Sequence, residues 1–257
     1  MVENGESSDM DSVGSVETLF DIIEHIHQAD GATLSAVAAE LDYAKSTVHR
    51  HLVTLEQRGY VVNDDGYYVG LRFLEFGEDA RNRRRGYQLA KEKVEELAQE
   101  TAERAQFLVE EHAEAVYIHR ALGSRAVRTD PGIGKRIPLH ATASGKAMLA
   151  AMPSEKVSRI IEQTRFVEVT DETITDAEEL RRELAEIRER GYAFNREENL
   201  NGLHAVGVPV EDSDRGVIGG LSVSGPSHRF TGERFEDELP TLLLGAANEL
   251  ELNIAHS

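Results

Sequence analysis

The sequence predicts an α+β protein: an N-terminal winged helix-turn-helix, a helical connector, and a larger domain of helices on one antiparallel sheet. Three observations carry this. Three short amphipathic segments and a candidate hairpin fall within about 55 residues, the layout of a winged helix-turn-helix. An arginine-rich stretch follows, with apolar residues interspersed. Strand-like and helix-like segments are then mixed to the end of the chain, as in an α+β domain.

Taken in order, residues 1–13 hold Glu3, Glu6, Asp9 and Asp11 among Ser and Gly and read as a disordered acidic tail. The winged helix-turn-helix is assigned to 14–70. Leu19, Phe20, Ile22, Ile23 and Ile26 recur at helical spacing and stop near Asp30 and Gly31. Thr33 is placed to cap a short second helix whose Leu34, Val37, Ala38 and Leu41 share a face. After a break at 42–44, Val48, Leu52 and Leu55 form the inward stripe of a third helix, which Gly59 ends. Two apolar triplets around Asp64, Asp65 and Gly66 complete the hairpin.

Residues 71–86 form the helical linker, with Leu71, Phe73, Leu74 and Phe76 as apolar positions and Arg81, Arg83, Arg84 and Arg85 as a basic run. That run suits a solvated face paired with acids as well as it suits phosphate contacts. The remaining domain, 87–257, opens with a helix at 87–103, followed by strands at 105–111, 115–121 and 125–129 and a loop at 131–134. A helix begins near Ser144, another covers 178–191 with Gly191 as its stop, strands are expected at 192–198, 203–211 and 217–223, and a final helix at 234–254.

Composition narrows the function. The 257 residues carry 47 Asp and Glu against 28 Lys and Arg, a formal charge of −19, and only six of the cations are lysine. Acid excess with little lysine fits a salt-adapted cytoplasm, where the screening length falls to about 3 Å in molar salt. Overall acidity is then a solubility device, and local cation clusters are the better guide to partners. No run of 18 apolar residues and no leader-like start occur, so the expectation is a cytoplasmic protein without a membrane span. The absence of cysteine excludes disulfides, thiolate nucleophiles and thiolate-bound metals.

The cluster that stands out is on the third helix, where Lys45, Ser46, Thr47, His49 and Arg50 form a short polar and cationic face able to reach phosphates and base edges. Farther on, Ser144 and Gly145 lie where a loop becomes a helix. Backbone N–H groups and the positive dipole end there suit a carboxylate, and a capped helix start with no ligand fits the same residues. Ser222 and Ser224 share one face of their strand, with Leu221 and Val223 on the other.

Three segments together resemble the IclR family of transcriptional regulators: K-S-T-V-H-R-H-L-V-T-L at 45–55, I-P-L-H-A-T-A-S-G-K-A-M-L-A at 137–150, and I-R-E-R-G-Y-A-F-N-R-E-E-N-L-N-G-L-H-A-V-G-V-P-V at 187–210 with G-L-S-V-S-G-P at 220–226. With the composition, the expectation is a family member from a halophilic archaeon. The resemblance implies a GAF-like effector-binding domain behind the DNA-binding one. It further implies a homodimer or tetramer on a palindromic double-stranded operator, a small organic-acid or sugar-derived effector, and repression or activation of catabolic genes. Effector contacts carried over by position fall on Ala143, Ser144, Asn195, Ala205, Ser222 and Ser224. Where members that bind small keto acids have an acid, this chain has Asn195, and where they have cysteine it has Ala205. A keto acid and a hydroxylated acid both remain open.

Two other classes stay in view, a DNA-binding protein whose second domain only oligomerises and a small-molecule enzyme. For the enzyme, S-G-K at 144–146 lacks the glycine and hydroxyl of a phosphate loop, and no G-x-S-x-G or H-E-x-x-H occurs. The pairs His25/His27 and His49/His51 point to different helix faces, so no metal and no cofactor are expected. Glu197 and Glu198, read as neighbours on a strand, would face opposite sides and serve structure or line a pocket.

Overall fold

A computed structural model describes residues 12–127 and 132–257. Of the tail assigned to 1–13, residues 1–11 lie outside the described residues, as do 128–129 of the strand expected at 125–129 and Pro131 of the loop. The chain divides into two compact units between Ala80 and Arg81.

In the first unit, α1 (Gly14–Gln28), α2 (Leu34–Glu40) and α3 (Lys45–Gln57) precede a hairpin of β1 (Val61–Asn63) and β2 (Tyr67–Val69). Thr33 caps α2, its side chain accepting from the Ala36 amide. Ile22 and Ile26 of α1, Val37 of α2 and Val48, Leu52 and Leu55 of α3 close one small core. The α2–α3 turn passes through Asp42 at φ 53° and is tied to α1 by the Tyr43 hydroxyl, which donates to Asp21 Oδ2 at 2.6 Å. Helix α4 (Arg72–Asn82) follows the hairpin and buries none of its residues fully.

The second unit is a six-stranded antiparallel sheet in the order β5-β4-β3-β8-β7-β6. Its strands are β3 (Arg104–Glu111), β4 (Glu114–Leu122), β5 (Arg136–Pro138), β6 (Ala193–Arg196), β7 (Leu203–Asp212) and β8 (Gly216–Pro226). One face packs on α5 (Arg85–Thr101) and α9 (Leu239–Ala255) through residues such as Phe107, Val206, Leu221 and Leu243. The other packs on α6 (Ala143–Ala151), α7 (Ser154–Gln163) and α8 (Ala177–Arg190) through Leu108, Met148, Ile160 and Leu184. Strand alternation sorts Phe107 and Leu108 to opposite cores.

Four sequence expectations change. Arg125 to Val127 form no strand: the Arg125 amide donates to Ala102 O at 2.8 Å and the Ala126 amide to Gly123 O at 3.1 Å, turning the chain back before it can pair. Strand β5 and helix α7 were not anticipated; β5 is three residues long and takes its place only from pairing with β4. The strand expected at 192–198 ends at Arg196 because Glu197 turns to φ 68°. Glu197 and Glu198 therefore sit in a turn beyond β6 rather than on opposite faces of it. The last helix begins with a π-helical turn at Arg234–Glu238.

Candidate functional site

The outer face of α3 is the candidate nucleic-acid surface. With Val48, Leu52 and Leu55 buried, the 3.6-residue period leaves Lys45, Ser46, His49 and Arg50 exposed, while Thr47 is half-buried. Thr54 is exposed too, but its hydroxyl donates to Arg50 O at 2.9 Å. The hairpin offers no cation, and its tip presents exposed Asp64 and Asp65. Attraction for phosphate in this unit is thus concentrated on α3.

In the second unit the start of α6 is set directly against the sheet. Thr142 caps the helix, accepting from the Gly145 amide at 3.1 Å. Glycines make room for the approach: a Cβ on Gly207 of β7 would stand 2.4 Å from the Ser144 nitrogen, and one on Gly220 of β8 would stand 3.1 Å from Ser144 Cβ. Side chains there would lift the helix off the strands.

Strand register completes the site. Arg104, Ser224, Ala205 and Asn195 are consecutive cross-strand partners over β3, β8, β7 and β6. Gln106, Ser222 and Gly207 form the next row on the same face. All six sequence-predicted residues, Ala143, Ser144, Asn195, Ala205, Ser222 and Ser224, line one cavity. Arg104, Gln106 and Tyr117 line it as well and were not anticipated. The signal was present in the alternation of R-A-Q-F-L, which puts two polar residues at period two in a buried strand.

The cavity is small and lined by several polar side chains. Its volume is about 20 Å³, room for roughly one water. Arg104 Nε donates to Ser224 Oγ at 2.9 Å, and Asn195 Nδ2 donates to Ala141 O at 2.6 Å. Asn195 Oδ1, Gln106 Oε1 and Ser222 Oγ are buried without a hydrogen-bond partner in the protein. Leaving such atoms unsatisfied costs about 1 to 3 kcal/mol each, which makes this cavity the candidate ligand site. Burial pushes the Arg104 guanidinium below and the Tyr117 phenol above their ordinary values.

Beside the cavity, Lys146 of α6 is buried and its Nζ lies 2.7 Å from Glu198 Oε1 and 2.6 Å from Oε2. Glu183 of α8 stands 3.6 Å from the same nitrogen. Burial raises the Glu198 carboxyl, with Lys146 pulling it back down. The turn carrying Glu198 is clasped by Thr173, whose hydroxyl donates to Glu198 O at 2.6 Å, and by Thr170, which donates to Glu197 O at 2.8 Å. Asn199 of that turn lines the cavity.

A winged helix-turn-helix on one chain with a sheet domain holding a small, partly polar pocket defines a ligand-responsive transcriptional regulator. Residues 15–65 match the IclR helix-turn-helix domain, and residues 84–252 match the family described as bacterial transcriptional regulator IclR, C-terminal. The chain belongs to the IclR family, as a DNA-binding regulator with an effector-binding domain and not an enzyme. It is 32% identical to the probable HTH-type transcriptional regulator ArcR of the halophilic archaeon Halobacterium salinarum, over 94% of each chain. It is also 32% identical to the HTH-type transcriptional regulator KdgR of Escherichia coli, covering 96% of this chain and 94% of that one. The solved structure of the Thermotoga maritima IclR superimposes with a TM-score of 0.77 at 28% identity, over 94% of this chain and 97% of the other. Among the described residues no helix is long and apolar enough to cross a membrane.

Proposed function

We propose that the protein works in the cytoplasm as a homodimer or tetramer that places α3 in the major groove of each half of a palindromic operator. Lys45, Ser46, His49 and Arg50, with Thr47 at the edge, contact the DNA. A small organic or sugar acid, held between the start of α6 and the strand carrying Ser222 and Ser224, changes that binding and so controls catabolic genes. The observation that carries this reading is the convergence of three unpartnered polar atoms and a buried cation on one cavity in the sheet domain. The alternative in which this domain only oligomerises gives those atoms no use.

Dimerisation is supported by the apolar side chains around α4: Leu71, Leu74 and Phe76 are exposed, while Phe73 is half-buried against Tyr60 at 5.1 Å between ring centroids. A single module with so few cations binds DNA weakly in high salt, because counterion release contributes little there. Doubling the half-sites restores affinity. The test is fluorescence anisotropy on the natural upstream DNA in about 2 M KCl, with and without organic acids, alongside light scattering. Acid-dependent shifts by a dimeric or larger species are expected. A monomer at micromolar concentration, or DNA binding indifferent to every acid, overturns the corresponding part.

A further inference from the structure

We propose, on the reading that this cavity is the effector site, that it selects a hydroxy acid over a keto acid, with Arg104 binding the carboxylate and Asn195 Oδ1 accepting a hydrogen bond from a ligand hydroxyl. At the start of α6 the Gly145 amide is already used, donating to Thr142. The sheet provides a fuller arrangement. Along the row Arg104, Ser224, Ala205 and Asn195, neighbouring strands are about 4.8 Å apart. The Arg104 side chain lies along this row, reaching Ser224 with Nε. Ala205 contributes only a methyl group, so the row presents a cation at one end, a small apolar floor, and an amide at the other end.

The amide's orientation is fixed. The atom 2.6 Å from the Ala141 carbonyl must be the nitrogen, because two oxygens at that distance would repel. Asn195 is 2% exposed, and its Oδ1 is a pure acceptor lining the cavity without a protein donor. A ketone oxygen brought against it sets lone pair against lone pair, whereas a hydroxyl donates to it. Ser222 Oγ can donate or accept and so does not discriminate. At the other end, Arg104 is 5% exposed with Arg120 and Tyr117 in its surroundings, and a guanidinium is the cation whose fork matches a carboxylate. Rejection of a ligand that leaves a buried polar group unpaired is the stronger form of selectivity.

The test is calorimetry on the full-length protein in about 2 M KCl with four probes: glycerate and gluconate as hydroxy acids, pyruvate as a keto acid without a hydroxyl, and glycerol as hydroxyls without charge. One of the hydroxy acids should bind at least about tenfold tighter than pyruvate, and glycerol should not bind. Arg104→Gln should weaken the hydroxy acid about tenfold or more, with Arg104→Lys retaining part of the affinity, and Asn195→Ala should shrink the preference over pyruvate to within about threefold. Far-UV dichroism and melting confirm that each variant folds, and loss of preference rather than loss of binding is what a merely structural Asn195 would not produce. Ala205→Phe, which fills the floor, separates the two levels of the reading. If pyruvate binds tighter than both hydroxy acids and Ala205→Phe abolishes it, the pocket stands and the hydroxy-acid selection falls. If binding of a probe ignores Ala205→Phe, the ligand sits elsewhere and both fall. No binding by any probe at about 10 mM, or unchanged binding in both Arg104 variants, overturns the proposal.

Discussion

Replacing Lys146 by Met tests the role given to the buried pair beside the cavity. In the parent the ammonium is 2% exposed and touches both oxygens of Glu198, whose side chain is 10% exposed. Methionine fills much of the same volume without charge, so what is lost is the cation, and among the described residues the Glu198 carboxylate keeps only the Arg196 amide at 3.3 Å as donor. Removing one partner of a buried pair costs about 3 to 5 kcal/mol. At about 2 to 4 °C per kcal/mol for a unit of this size, the melting temperature should fall by roughly 6 to 20 °C. The deficit should depend on pH in a definite direction. Burial already holds the folded Glu198 carboxyl above its ordinary value, and without Lys146 it rises further. The folded state then binds the proton more tightly than the unfolded one, so the variant loses stability as pH rises from about 4.3 upward and is worse at pH 8 than at pH 5. The double change Lys146→Met with Glu198→Leu removes both charges and should return close to the parent. Circular dichroism melts in about 2 M KCl read all of this, because salt screens a buried pair only weakly. A Lys146→Met protein that melts within about 2 °C of the parent at both pH values refutes the reasoning.

Three further outcomes follow from the same structure. Arg50→Ala should weaken operator binding by about 1 to 3 kcal/mol and relax preference at one base pair per half-site; mobility shifts with unchanged affinity for both Arg50→Ala and Lys45→Ala would remove α3 from the groove. Gly207→Ala puts a methyl 2.4 Å from the Ser144 nitrogen and should cost about 1 to 3 kcal/mol by overpacking while weakening effector binding; a variant as stable as the parent would show that α6 is not seated on β7. His140, buried against Phe166 at 5.1 Å, has its imidazole held below the ordinary value by burial first and by nearby Lys146 last, so the fold favours the neutral ring. The unfolded chain takes up that proton first as pH falls through about 6.5, and stability should drop there; an equal drop in His140→Gln, followed by denaturant melts at pH 7.5 and 5.5, would assign it to another group.

What the sequence disclosed divides along physical lines. The stripe Val48, Leu52 and Leu55 is a local periodicity, and it fixed which face of α3 was left for Lys45 and Arg50. The alternation of Ser222 and Ser224 against Leu221 and Val223 is local too, and the two serines lie on the cavity side. By contrast, the Lys146–Glu198 pair joins residues 52 positions apart and has no local signature. Glu197 took a strand-ending φ because its amide is used by Leu203 O at 3.1 Å, which only the folded turn supplies. Arg104 and Gln106 were legible in principle, as polar residues at period two in an apolar strand, but their shared cavity depends on register with β8. The six residues carried over from the IclR resemblance line one cavity, yet the resemblance said nothing of Arg104, which lines it too.

A cavity this small has a consequence for how sensitive such a regulator can be. With about 20 Å³ between its walls, the proposed acid site holds no more than about one water as it stands, so an acid bound there requires its walls to move apart. The observed affinity is the intrinsic affinity scaled by the fraction of molecules already open, so each 1.4 kcal/mol of opening free energy moves half-saturation about tenfold upward in concentration. On the proposed function, the response concentration would be set in part by Thr170, Thr173 and Lys146, which hold the turn at Glu197 and Glu198 in place. Variation at those positions would then shift the response threshold without touching Arg104 or Asn195.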